Sequence, residues 1–401
     1  MLRQAGLLDN ELIAGTPEVE VDPRELRQRI EKHLHDQGFV LSNGRLLASV
    51  LDDKERLRRL HREAVAHQRD RARESLRRDE DRFIGRLASA SEVHPVRVTP
   101  ALIPIVDRHS FLGRLWRWCA LHWSIPVSSG YGRRLRFLVV DLANGDKIIG
   151  LIGLGDPVFA LGCRDQWIGW SRNRRTTALT SVMDAFVLGA VPPYNFLLGG
   201  KLVALLATSS EVRDAFRMKY GHRQTLITQR DPDAQLALVT TTSALGRSSI
   251  YNRLTNPVGR LAYEPVGYTS GSGDFHFSGA IYDDLARFAA QISPDGATYR
   301  HKRWTGTSFR NRREVIQRAL DALGYHRQLR MHGIRRQVFV APLMGNTLAL
   351  LRGEATEPAW STLSVDELSG WWRKRWAVPR STRNTEGQEF DPCSWRLWAE
   401  R

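Results

Sequence analysis

The stretch Arg134–Leu154, RLRFLVVDLANGDKIIGLIGL, decides the fold class. Two apolar runs rich in Val, Ile and Leu flank Ala143-Asn144-Gly145-Asp146, and an Asn-Gly pair supplies the positive φ angles of a type I′ turn. The two runs therefore form an antiparallel hairpin, and the sheet that contains it is not purely parallel.

Downstream, Thr180–Val191 is apolar and stops at Pro192-Pro193. Leu197-Leu198-Gly199-Gly200-Lys201 then opens one helix, because Leu202, Leu205, Leu206, Val212 and Phe216 recur at helical spacing. Leu236–Val239 reads as a short buried strand. It runs into TTTSALGRSSIYNRL, Thr240–Leu254, and later VGYTSGSGDFHF, Val266–Phe277. The order hairpin, mixed segment, strand, Gly-rich turn, helix, strand, polar loop, strand predicts an α/β (α+β) fold: a mixed, mostly antiparallel central sheet flanked by helices.

Upstream, a helix at Asp22–Ile30 and a Ser42-Asn43-Gly44 turn suit a small helical or winged unit. Asp52–Arg86 has no Gly or Pro before Gly85 and predicts one long helix with a thin apolar stripe, lying on the surface or against a partner helix. The expected division is a helical N-terminal region (1–95), an α/β core (96–290), a basic C-terminal part of the body (291–355) and a Trp/Arg-rich tail (356–401).

The chain has 401 residues, 42% of them hydrophobic, and a formal net charge of +16. Residues 1–95 are balanced at 18 cations and 18 anions, so the whole excess lies in the body. Arg300–Arg336 alone carries eleven cations against Glu314 and Asp321. Such a block repels itself unless a polyanion supplies counter-charge, and arginine suits bidentate phosphate contact. Nucleic acid is the expected partner, with Arg133, Arg134, Arg136, Arg300, Lys302, Arg303, Arg310, Arg312, Arg313, Arg335 and Arg336 as backbone contacts. No apolar run approaches a membrane span, no export signal is read, and the three cysteines are too few and too widely spaced for a disulfide framework or a zinc site. The cytoplasm is the expected compartment, with no membrane partner and no metal.

Six Ser and Thr hydroxyls in Thr240–Leu254 mark that segment as a site wall, since a buried hydroxyl without a partner costs about 1 to 3 kcal/mol. The bland alternative is that they cap helices and close turns. Arg247, after Gly246, and Tyr251 are the candidate reactive side chains there. Asp274 and His276, two residues apart, would share one face of a strand and form a base with its orienting carboxylate; a satisfied core histidine is the alternative. Asn195, Gly199, Gly200 and Lys201 are candidates for a cofactor phosphate. The tail Trp371-Trp372-Arg373-Lys374-Arg375-Trp376 is either a nucleic-acid or partner contact or a strap docked on the body.

WSIPVSSGYGRRLRFLV (Trp123–Val139), DPVF (Asp156–Phe159), RDQWIGW (Arg164–Trp170), VLGAVPPYNFLLGGKLVALL (Val187–Leu206), TTTSALGRSSIYNRL and HGIRR (His332–Arg336), in this order, resemble the DruA family of the Druantia anti-phage defence systems over about residues 20–355. The resemblance implies a bacterial defence or mobile-element setting, contact with DNA and other defence subunits as partners. A second resemblance, to the order of the GCN5-related acyltransferases, implies acyl-coenzyme A or a nucleotide at Gly199-Gly200-Lys201 and Tyr251 as a proton donor. In that family a small residue stands where Lys201 stands here. Three functions follow as expectations: a DNA-engaging defence component with a polar site in the core, an acyltransferase-like enzyme acting on a nucleotide, nucleic acid or protein, and a non-enzymatic scaffold subunit.

Overall fold

The computed structural model describes residues 20–42, 45–48, 53–127, 132–224, 231–246, 248–293, 312–383 and 389–398. Its helices are α1 (Pro23–Asp36), α2 (Lys54–Leu76), α3 (Glu80–Ile84), α4 (Phe111–Ala120), α5 (Gly162–Ile168), α6 (Arg172–Ala178), α7 (Gly199–Leu206), α8 (Ser210–Tyr220), α9 (Ala280–Gln291), α10 (Arg312–Ala322), α11 (Thr347–Arg352), α12 (Val365–Trp372) and α13 (Val378–Ser381). Its strands are β1 (Phe39–Ser42), β2 (Arg45–Ala48), β3 (Pro100–Pro104), β4 (Arg134–Asp141), β5 (Lys147–Gly155), β6 (Val182–Ala190), β7 (Leu238–Thr242), β8 (Glu264–Tyr268) and β9 (Gln337–Pro342).

The fold class is as the sequence predicts: a seven-stranded mixed sheet in the order β3-β4-β5-β6-β7-β9-β8, with helices on both faces. Only β6 and β7 run parallel, pairing from Val182↔Leu238 to Ala185↔Thr241; the other neighbours are antiparallel. The β4-β5 hairpin forms where expected, but its turn is longer than a two-residue type I′ turn. A 3-10 turn spans Leu142–Asn144, and the positive φ angles fall one residue later, at Gly145 and Asp146. Asp141 imposes this shape. Its carboxylate accepts from Thr99 N at 2.8 Å, Ala143 N at 3.2 Å and Tyr194 Oη at 2.9 Å, holding the chain in a wider loop.

On one face, α7, α8 and α12 pack Leu202, Leu206, Phe216, Leu368 and Trp372 against Leu135, Phe137, Val239 and Phe339. On the other, α4 and the end of α2 cover Leu138, Val140 and Leu151, while α5, α6 and α11 cover Val182, Leu238 and Val340. The helix expected to run unbroken from Leu202 to Phe216 is two helices, because Ser209 turns out of the helix and its hydroxyl caps α8, accepting from Val212 N at 3.4 Å.

A separate core joins an early and a later part of the sequence: Leu26, Ile30 and Phe39 pack with Phe277, Leu285, Val315 and Leu320. The long helix joins this core to the sheet, burying Leu57 and Leu60 in the former and Ala72 and Leu76 in the latter. It breaks at a 3-10 turn, Arg77–Asp79, beyond which Glu80 points inward and accepts from Trp118 Nε1 at 2.8 Å and Leu397 N at 2.8 Å. Among the described residues no helix is long and apolar enough to cross a membrane.

Candidate functional site

In and after β7, the hydroxyls of Thr240, Thr241, Ser243 and Ser248 bond within the chain. Thr240 Oγ1 donates to Asp184 Oδ1 at 2.8 Å, Thr241 Oγ1 donates to Ala185 O at 2.9 Å, and Ser248 Oγ accepts from the amides of Ile250 and Tyr251 at 3.1 and 3.3 Å. The Tyr251 ring is buried between Tyr263 and Phe339, with centroids 5.0 and 5.2 Å away. Burial pushes its phenol up to about 12. Arg247 lies outside the described residues, as do Arg300, Lys302, Arg303 and Arg310.

The Gly199-Gly200-Lys201 turn does meet this segment, but the chain itself occupies the contact. Lys201 Nζ donates to Ile250 O at 3.3 Å and sits 5.5 Å from the centre of the Trp376 ring, while burial lowers its proton affinity. A Cβ at Gly199 would lie 2.6 Å from Tyr194 O, so glycine there serves close packing. Trp372 is buried with its Nε1 donating to Leu198 O at 3.2 Å, and Trp371 Nε1 donates to Thr255 O at 2.9 Å. The tail is thus a strap over the start of α7. Asn195 is exposed beside it, in the 3-10 turn Tyr194–Leu197. With its lysine, its glycines and the carbonyl before it engaged internally, and Tyr251 enclosed, this turn does not fit the pyrophosphate of acyl-coenzyme A.

The Asp274–His276 pair expected on a strand does not form, because residues 274–277 make a turn. Asp274 is bound instead by the guanidinium of buried Arg330. His276 Nε2 donates to Leu329 O at 2.8 Å, and its Nδ1 is buried without a partner. His332 is buried too, its ring centre 5.8 Å from that of His276, with Phe275 between His332 and His61 of α2. Burial is the first cause that lowers each of these histidines to about 3, and the cations Arg336 and Arg330 add to it. They are neutral core residues. Among the described residues no group of three or more His, Cys, Asp or Glu could hold a metal ion.

The predicted phosphate contacts divide in two. Arg133 faces inward, paired with Asp156 at 2.6 Å and donating to the carbonyls of Leu179, Thr180 and Val182. Arg336 is half-buried with Nη2 3.3 Å from His61 Nε2, and Arg312 donates to Phe277 O over the Tyr282 ring. Arg313 and Arg335 are exposed, the latter over Tyr268. Arg134 and Arg136 differ: Arg136 lies over the Trp116 ring of α4, and Arg134 over the Phe186 ring of β6.

There they meet Arg108 and Arg117, which the sequence reading passed over. Arg136 lies over the Trp116 ring with its Nε buried and unpartnered. Burial, then the like charges of Arg134, Arg108 and Arg117, lower its proton affinity; Arg117 is lowered by burial, Arg108 and Arg114. Among the described residues no carboxylate forms an ion pair with Arg108, Arg117 or Arg136. Lys219, whose Nζ donates to Arg134 O at 2.9 Å, adds another cation at the rim. The signal in the sequence was the alternation of arginine and tryptophan in FLGRLWRWCA, which is the amphipathic pattern of α4.

A family model described as Druantia protein DruA matches residues 51–353. The chain is 39% identical over 387 residues to the Druantia protein DruA of Escherichia coli (strain UMEA 4076-1), covering 96% of this chain and 92% of that protein. No solved structure matches. On the family match and the near full-length identity, the chain belongs to the DruA family of Druantia proteins.

Proposed function

We propose that this chain, a DruA-family component of a Druantia anti-phage defence system, engages nucleic acid through the arginines gathered at the end of β4. The observation that carries this reading is that Arg108, Arg117, Arg134 and Arg136 crowd together, with no carboxylate paired to Arg108, Arg117 or Arg136 among the described residues. Cations that lower one another's proton affinity gain stability when an anion settles between them, and a phosphate backbone is an anion with many such charges. The +16 net charge adds attraction at long range. The expected contact is to the phosphate backbone.

The test is duplex DNA binding by the full chain across a salt series. Binding should weaken steeply with salt, and Arg117→Gln with Arg136→Gln should reduce the log-log slope by about two counterions, roughly 0.9 each. Binding that is absent at low salt, or a slope unchanged in the double variant, would reject the patch as the interface.

A further inference from the structure

The middle of α2 faces a groove of about 270 Å³ against the segment that follows α4. Arg58, Arg59, Arg62 and Arg69 line it from the helix, Trp123 lines it from across, and Glu55 closes one end. Positions 58, 59, 62 and 69 fall on one helical face, so α2 gathers four of its cations on this side. Glu55 neutralises Arg58 at 2.9 Å, and Arg69 Nε donates to Leu121 O at 3.0 Å. Arg59 and Arg62 are exposed, and among the described residues no carboxylate pairs with either. The nearest acid on the neighbouring face, Glu63, is engaged by Gln37 and His33.

Trp123 packs against the sheet. One edge of its indole rests on β6 at Gly189, where a Cβ would lie 2.3 Å from Cζ2, and the ring is half-buried where it meets the groove. A rigid aromatic ring beside unpaired arginines suits an unstacked base and its flanking phosphates, because every base offers a π-face and every nucleotide a charge. A duplex offers no such base.

We propose that this groove binds single-stranded nucleic acid, with a base stacked on Trp123 and adjacent phosphates held by Arg59 and Arg62. It shares no residue with the arginine patch at the end of β4 and goes beyond the function proposed for that patch.

Fluorescence anisotropy of the full chain with 12-nucleotide oligothymidylate, oligouridylate and a 12-unit abasic strand of equal charge separates stacking from charge. Wild type should bind a base-bearing strand at least about fivefold more tightly than the abasic one. Trp123→Phe should keep that preference and Trp123→Ala should abolish it. Because Trp123 also packs on the sheet, the exposed pair Arg59→Gln with Arg62→Gln supplies an independent measure: it should weaken all three strands and lower the salt slope by roughly 0.7 per lost contact. Equal binding of based and abasic strands, for DNA and RNA alike, or unchanged binding by the Arg59/Arg62 variant, would overturn the proposal. Arg117→Gln with Arg136→Gln should leave the base preference intact, so failure of the β4 patch and failure of this groove are read separately.

Discussion

Asp184 lies half-buried on β6, where that strand runs parallel to β7, and accepts from Thr240 Oγ1. Burial raises its pKa to about 6, against which the threonine bond and Arg164 act. A carboxyl whose folded pKa exceeds its unfolded value of about 3.8 favours the fold when protonated. That contribution is full below the unfolded value and is lost as pH rises through the folded one. Asp184→Asn should therefore stabilise the protein at pH 7.5 by about 2 kcal/mol or less, and the gain should vanish near pH 4. Chemical denaturation of both proteins at the two pH values checks this; equal destabilisation at both would mean that the bond to Thr240 outweighs the charge. Residues of this kind were only half legible in the sequence. The hydroxyls after β7 stood out, but whether they close turns or face a ligand depends on Asp184 and Ala185, which lie more than fifty residues earlier.

Among the elements, α2 is fixed to the turn 272–277 and the chain at 330–336 through neutral histidines. His61, His276 and His332 are each held near 3, with His33, Arg312, Arg330, Arg336 and Asp274 as the charges around them. Folded values below the unfolded 6.5 mean that the neutral forms stabilise the fold, fully above pH 6.5 and progressively less as pH falls toward 3. Below pH 6 each histidine should remove about 1.4 kcal/mol per pH unit. Melting followed from pH 8 to pH 5 should show a steep loss of stability below 6.5, flatter in His61→Phe. The hairpin β4-β5 and the helical face of α7 were readable because their signals are local, a turn pair and a 3.6-residue period. The break between α2 and α3 was not, because it depends on Trp118 and Leu397, distant donors that draw Glu80 inward. The inward aim of Arg133 escaped for the same reason, since Asp156 and three carbonyls of residues 179–182 decide it.

Across the whole molecule, the tail closes the sheet domain although it lies beyond the matched residues 51–353. Trp372 is fully buried among Leu202 and its neighbours on α7, and the α12 cap that aims it is a reciprocal Ser364–Glu367 pair, with Glu367 N donating to Ser364 Oγ at 3.2 Å. Trp372→Ala should cost about 3 to 5 kcal/mol, measured as a shift in the urea midpoint, whereas loss of an exposed nucleic-acid contact would leave stability unchanged. Charge was legible from composition, but its placement was not: the basic run after residue 300 drew attention, while Arg108, Arg117 and Arg136 crowd together before α4, on α4 and on β4.

The core shared by the first and the later helices also sets an order of events during synthesis. Glu31 of α1 accepts from Tyr325 Oη, 294 residues downstream. At roughly 5 to 20 residues per second, the ribosome takes about 15 to 60 s to make that span. For that time Leu26, Ile30 and Phe39 have no native surface from α9 or α10 to cover them. The emerging N-terminal segment thus carries an uncovered apolar face until its later partners are made.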